Sequence, residues 1–173
     1  LDLTRCPGVG DAGLLALAAS PSAAGLRELV LYADAQFGGE ALAAVLRACG
    51  PSLRRLDLCG AAQLTDDALL ALLPSSDAKL SNLETLNLTW CVQLHDAALA
   101  SLLAACPALR WLSLHGINGA GQGALSALAA SPTLRTTLQA LDVRGCATLP
   151  PQERHPTALR RRLPALRAFV LHS

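Results

Sequence analysis

Residues 86–109 read LNLTWCVQLHDAALASLLAACPAL. Leu86 and Leu88 alternate with Asn87 and Thr89, the period-2 pattern of a short strand with one buried face. Leu99, Leu102 and Leu103 then recur at helical spacing. Pro107 closes the segment, as proline does just beyond a helix. The stretch therefore predicts a strand, a turn and a helix, each with an apolar face that one such unit cannot bury alone.

The same unit recurs. The pattern L-x-x-L-x-L stands at Leu26-Leu29-Leu31, Leu53-Leu56-Leu58, Leu83-Leu86-Leu88, Leu109-Leu112-Leu114 and Leu138-Leu141-Val143, with a variant at Leu166-Phe169-Leu171 and a shortened copy at Leu1-Leu3. Successive starts lie 27, 30, 26, 29 and 28 residues apart. Three fixed offsets from the strand motif hold in phase. The helix leucines are Leu14, Leu42, Leu69, Leu99 and Leu125, with Arg154 in the sixth copy. Aspartate recurs as Asp11, Asp66 and Asp96, and the turn position holds Val9, Phe37, Leu64, Leu94, Ala120 and Leu149. Thr65-Asp66 and His95-Asp96 read as helix starts, where short polar side chains satisfy free N–H groups and negative charge suits the dipole. Pro150, Pro151 and Pro156 predict an interrupted helix in the last unit. Stacking the units buries one continuous core.

These strings resemble the leucine-rich-repeat family, with its L-x-x-L-x-L-x-x-N/C-x-L signature. Cys91, Leu94, Asp96, Leu99, Cys106, Pro107 and Leu109 carry a narrower resemblance to the cysteine-containing subclass found in F-box leucine-rich-repeat proteins. The resemblance implies an α/β fold, a right-handed solenoid bent into a horseshoe arc. About seven short parallel strands would line its concave side, near 1–3, 29–31, 56–58, 86–88, 112–114, 141–143 and 169–171, with helices on the convex side. Residues 1–173 read as one array, expected to be a segment of a longer protein because Leu1 opens inside a strand pattern. In the resembling proteins the array captures a substrate, while a separate F-box docks to a ubiquitin-ligase scaffold. No F-box is recognisable in these residues, so an adaptor would bind outside them. Ala61 and Ile117 depart from the subclass at its cysteine position.

Composition agrees with a repeat array. The chain has 39 leucines and 33 alanines but only 3% aromatic residues, so the core must be aliphatic and regularly spaced. No apolar run reaches the length of a membrane span, and no signal peptide is visible. Net charge is +1, which argues against bulk attraction to nucleic acid or a membrane. Residues 1–86 hold six basic and ten acidic side chains, and residues 87–173 hold eight and three. That imbalance is either drift between solvated faces or a bipolar surface that orients a partner. Five of the six cysteines fall on repeat positions: Cys6, Cys91 and Cys146 three residues after the strand motif, Cys49 and Cys106 eighteen after it. They read as buried structural thiols, which favours a reducing, intracellular setting, cytoplasmic or nuclear. Cys59 is the exception, placed toward the open face of the sheet.

Candidate binding residues follow from the strand phase, since those flanking the inward leucines face outward. One ladder is Asp2, Val30, Asp57, Asn87, Ser113, Asp142 and Val170. A second is Thr4, Tyr32, Cys59, Thr89, His115, Arg144 and His172. A third is Glu28, Arg55, Thr85, Trp111, Ala140 and Ala168, with Trp90 at the lip. Both tryptophans and the one tyrosine fall on or beside this face. Exposed large aromatics are typical binding anchors; the alternative is that Trp90 and Trp111 cover loop backbone. The Asp2–Asp57–Asn87–Asp142 ladder reads equally as binding surface or as hydrogen bonding between strands. The expected site is Tyr32, Arg55, Asp57, Thr85, Asn87, Thr89, Trp90, Trp111, His115 and Arg144, with a protein as partner.

Catalysis finds no convergent groups. His115 and His172 sit two repeats apart, roughly 10 Å by strand spacing, too far to share a metal. Cys59 and His115 are separated likewise. Gly119, Gly121 and Gly123 lack the lysine and hydroxyl of a phosphate loop and read as a permissive turn. The expectation is a non-enzymatic interaction module without cofactor or metal, with a ubiquitin-ligase substrate receptor as the leading role. A general scaffold or inhibitor-like domain is the alternative, and an enzyme the remote one.

Overall fold

The computed structural model describes residues 1–32, 37–71 and 80–170. Its elements run α1 (Asp11–Ala19), a 3-10 turn (Pro21–Gly25), β1 (Glu28–Val30), α2 (Gly39–Cys49), β2 (Arg55–Asp57), α3 (Asp66–Ala71) and β3 (Thr85–Asn87). Then come α4 (Asp96–Ala104), β4 (Trp111–Ser113), α5 (Gln122–Ala130), α6 (Leu134–Thr137), β5 (Ala140–Asp142), a 3-10 turn (Pro151–Arg154), α7 (Pro156–Arg162) and β6 (Ala168–Val170). The strands form one parallel sheet in chain order, β1 to β6. Leu29, Leu56, Leu86, Leu112, Leu141 and Phe169 stand in one row across it.

The strand count is six among the described residues, not the expected seven. The first copy contributes a single bridge, Asp2 to Val30. Each strand also begins and ends one residue earlier than its motif predicts. The last leucine of a motif starts the turn yet still donates one rung, as Leu31 N–H does to Asp57 O at 2.8 Å and Leu88 N–H to Ser113 O at 3.0 Å. Leu72, Leu73, Pro74, Asp34, Ser76, Leu171 and His172 lie outside the described residues.

The core lies between the sheet and the helix layer. Leu29, Leu31, Leu56, Leu58, Leu86, Leu88, Leu112 and Leu114 are buried from the strand side, and Leu14, Leu42, Leu69, Leu99 and Leu125 from the helix side. Where the last unit places Arg154 instead of leucine, the chain breaks into the 3-10 turn and α7, each with proline in its first turn, where a missing N–H costs nothing. Leu159 and Leu163 then fill the core there.

The recurring aspartates act differently from their expected role. Rather than capping the helix they begin, they reach the next repeat. Asp11 Oδ1 accepts from Gly38 N–H at 2.6 Å and Asp66 Oδ1 from His95 N–H at 2.8 Å. Asp96 accepts from Gly121, Gly123 and Ala124 N–H groups at 2.7, 2.8 and 2.9 Å. Thr65 is the residue that caps its own helix, accepting from Ala68 N–H at 3.2 Å. The glycines of 119–123 permit this approach. A Cβ on Gly119 would lie 2.5 Å from Leu94 O, and one on Gly123 would lie 2.7 Å from Asp96 Cβ. None of the six cysteines is in a disulfide. Cys91 and Cys146 donate to the strand-end carbonyls of Leu58 and Leu114, both at 3.2 Å, so they too join neighbouring repeats. Burial pushes Cys91 and Cys106 up to about 12 and Cys49 up to about 11, which keeps these thiols protonated and inert.

Candidate partner-binding face

The outward ladders appear as three rows on the face of the sheet away from the helices. Thr85, Trp111 and Ala140 are neighbours on adjacent strands, as are Asp57, Asn87, Ser113 and Asp142. Trp111 is 37% exposed and Tyr32 38%.

The middle row is mostly committed to the protein's own backbone. Its side chains accept from the N–H two residues on: Asp2 from Thr4, Asp57 from Cys59, Asn87 from Thr89, Ser113 from His115 and Asp142 from Arg144, at 2.9–3.3 Å. Such local bonds hold the chain as it turns out of the strand. Asp57, Ser113 and Asp142 are accordingly buried. Across strands the row is one polar chain. Arg55 Nη2 lies 3.7 Å from Asp57 Oδ2, Asn87 Nδ2 donates to that same oxygen at 3.1 Å, Thr89 Oγ1 lies 2.7 Å from Asn87 Oδ1, and Ser113 Oγ lies 2.7 Å from Thr89 Oγ1. The structure thus joins Arg55, Asp57, Asn87 and Thr89. Arg144 stands apart, its guanidinium clamped to both carboxylate oxygens of Asp142, with Nη2 to Oδ2 at 2.7 Å. Tyr32 lies at the far side, two repeats from Thr89. Cys59, expected on this face, is covered. Burial raises its thiol, with Asp57 adding to the shift, so it offers no nucleophile.

Trp90 holds the position two residues past the strand motif. Gly60, Gly116 and Gly145 hold it in three other repeats and Arg5 in the first, all with positive φ. Trp90 has φ 60°, left-handed backbone in which a bulky residue is strained. The residue is 53% exposed, and its ring meets His115 edge-to-face, centroids 5.0 Å apart and planes at 83°. The ring covers Gly116, where a Cβ would lie 2.6 Å from Trp90 Cε3. His115 Nδ1 is buried there without a hydrogen-bond partner among the described residues.

Sequence reading named Trp90 but not its backbone state. Aligning it with the three glycines carries that signal. Ser113 is not legible in the sequence as a link of the polar chain, because its bond to Thr89 crosses to the neighbouring repeat. Among the described residues no cluster of histidine, cysteine or carboxylate side chains can hold a metal ion, and no helix is long and apolar enough to cross a membrane.

Residues 14–149 match the family model described as FBD-associated F-box protein At5g56370, LRR repeats. Among solved structures, the chain is similar to one in the crystal structure of the Rad7 and Elc1 complex in yeast, with a TM-score of 0.53 at 23% identity. The likeness covers 76% of this chain and 39% of that one, and it extends to the fold.

Proposed function

We propose a function for a chain that belongs to the leucine-rich-repeat family of FBD-associated F-box proteins: it captures a protein partner on the open face of its sheet. In this reading the sheet is the concave side of a right-handed arc, and the module itself is not an enzyme. The observation that carries the reading is Trp90. A tryptophan in a left-handed position otherwise held mainly by glycine costs about 1–2 kcal/mol, and a bulky side chain there is not required by the fold. Strain of this kind gathers at functional sites. Trp111 lies on the adjoining strand and supplies a second exposed ring, with Thr85 and the polar chain between Arg55 and Ser113 as the surrounding contacts. Anchoring aromatics ringed by polar contacts describe a protein-binding patch.

The family supports the more specific role of substrate receptor for a ubiquitin ligase, with the adaptor bound elsewhere on the whole protein. In the similar yeast structure, Rad7 is in complex with a second protein, Elc1. Co-purification of a ligase adaptor with the full-length parent supports the ligase role. Reproducible failure to recover one favours the plain scaffold.

Trp90→Gly separates anchor from cover. As an anchor, its loss weakens retention of the partners that co-purify with the full-length parent by at least about tenfold, while relief of strain leaves thermal stability equal or higher. Trp111→Ala loses the same partners with little change in melting. If Trp90→Gly instead lowers stability with partner capture intact, the ring covers backbone and is no anchor.

A further inference from the structure

The charges of this chain are sorted by edge of the sheet. At the edge where strands begin, Arg27, Arg54, Glu84, Arg110, Gln139 and Arg167 occupy one position in successive repeats. Each N–H from Arg54 onward donates to the carbonyl of the residue before it in that series, at 2.7–2.9 Å. Arg55 adds a fifth exposed guanidinium, and Glu28 and Glu84 are the only acids in these two rows. The opposite edge, where helices begin, carries Asp11, Glu40, Asp66, Asp67 and Asp96. Helix dipoles account for those acids, and for Arg47 and Arg160 to Arg162 in last helical turns. They do not account for Arg27, Arg54, Arg110 and Arg167, which lie in extended segments. Among the described residues no carboxylate pairs with Arg27 or Arg167.

From this we propose that the strand-start edge is a second docking surface, which receives an acidic polypeptide segment. Glu84 shows how a carboxylate fits. Its Oε1 lies 2.6 Å from Arg54 Nη1 and its Oε2 lies 3.8 Å from Arg110 Nε, so one acid is held between two arginines of neighbouring repeats. Arg27 and Arg167, at the two ends of the row, are exposed guanidiniums that hold no such acid among the described residues. Five strand steps of about 4.8 Å span about 24 Å, the reach of roughly seven extended residues. A short acidic segment fits that length. A nucleic acid is a poorer match: Trp111 is the one ring in these two rows, too few to stack successive bases, and the acids of the far edge repel a polyanion longer than the row. This edge adjoins the Trp90–Trp111 face, since Arg110 precedes Trp111 and Arg55 lies beside Thr85, but its reception of carboxylates does not require the tryptophans.

The test is fluorescence anisotropy of a short all-glutamate peptide titrated with the whole chain, beside a single-stranded oligonucleotide of equal charge and phosphatidylserine vesicles. The peptide binds more tightly than the oligonucleotide or the vesicles, and its affinity falls as added salt contracts the Debye length to about 8 Å. Arg54→Glu with Arg110→Glu weakens peptide binding by about tenfold or more. Glu84→Gln, which frees both arginines, strengthens it. Arg5→Glu, past the strand ends at the opposite edge, leaves it unchanged. Circular dichroism confirms that each variant is folded. No peptide binding, tighter binding of the oligonucleotide or the vesicles, or an equal loss from Arg5→Glu overturns the proposal.

Discussion

Leu86→Ala is expected to destabilise the chain by about 2–5 kcal/mol, enough to remove much or all of the margin of a small domain. Leu86 is fully buried at the middle of the central strand β3, between Leu56 and Leu112. Truncation opens a cavity that neighbouring leucines, fixed in register, cannot collapse into. In a stacked array each repeat is held by its neighbours, so a weak centre also uncouples the two halves. Urea unfolding followed by circular dichroism should show a lower midpoint and a broader transition. Leu15→Ala removes a leucine that is half exposed on α1 and should shift the midpoint little. A loss under about 1 kcal/mol for Leu86→Ala would mean that the interior is not close-packed there.

Asp96→Ala is expected to cost about 2 kcal/mol, because one carboxylate supplies the start of the next helix. The N-terminus of α5 has no side-chain cap of its own, and Gly121, Gly123 and Ala124 all donate to Asp96. Without it those N–H groups are left half-buried and unmatched. Asp96→Asn keeps an acceptor oxygen but loses the charge, and should fall between wild type and alanine. The acid dependence follows from the same bonds. Burial pushes the Asp96 carboxyl up, but the three N–H donors, helped by His95, outweigh it and hold it below the ordinary value. A depressed folded-state value means the contribution is fully present above about pH 4 and is lost as pH falls through the folded-state value. The stability gap between wild type and Asp96→Ala should therefore be constant near neutrality and close in acid. A gap that widens in acid would contradict the carboxylate's role.

Much of this is legible in sequence. The alternation of Leu86 and Leu88 with Asn87 and Thr89 correctly separates buried from outward positions, and the observed register aligns those rows residue by residue. Periodicity works because a stacked repeat needs the same side chain at the same place each time. Contacts between repeats are not legible. Asp96 looks like the cap of its own helix because local spacing carries no information about which helix lies next door. The glycines at 119, 121 and 123 look like a loose turn, yet those at 119 and 123 mark close approach to His95 and Asp96, and that at 121 to Thr148. The polar ladder reads in sequence as either structure or binding surface, and its bonds to the chain's own backbone explain why Asp57 and Asp142 are buried. Charge read along the chain divides by halves, whereas the fold sorts it by edge, since strands and helices carry their ends to opposite sides.

The central claim is that a protein partner rests on the open sheet face around Trp90 and Trp111. Photo-crosslinking tests it most directly, with a benzophenone side chain placed at Thr85 beside Trp111 or at Ser101, exposed on α4. The account predicts that, in the full-length protein with its co-purified partner, the probe at Thr85 captures the partner and the probe at Ser101 does not. Capture from Ser101 with none from Thr85 would place the partner on the helices and contradict it.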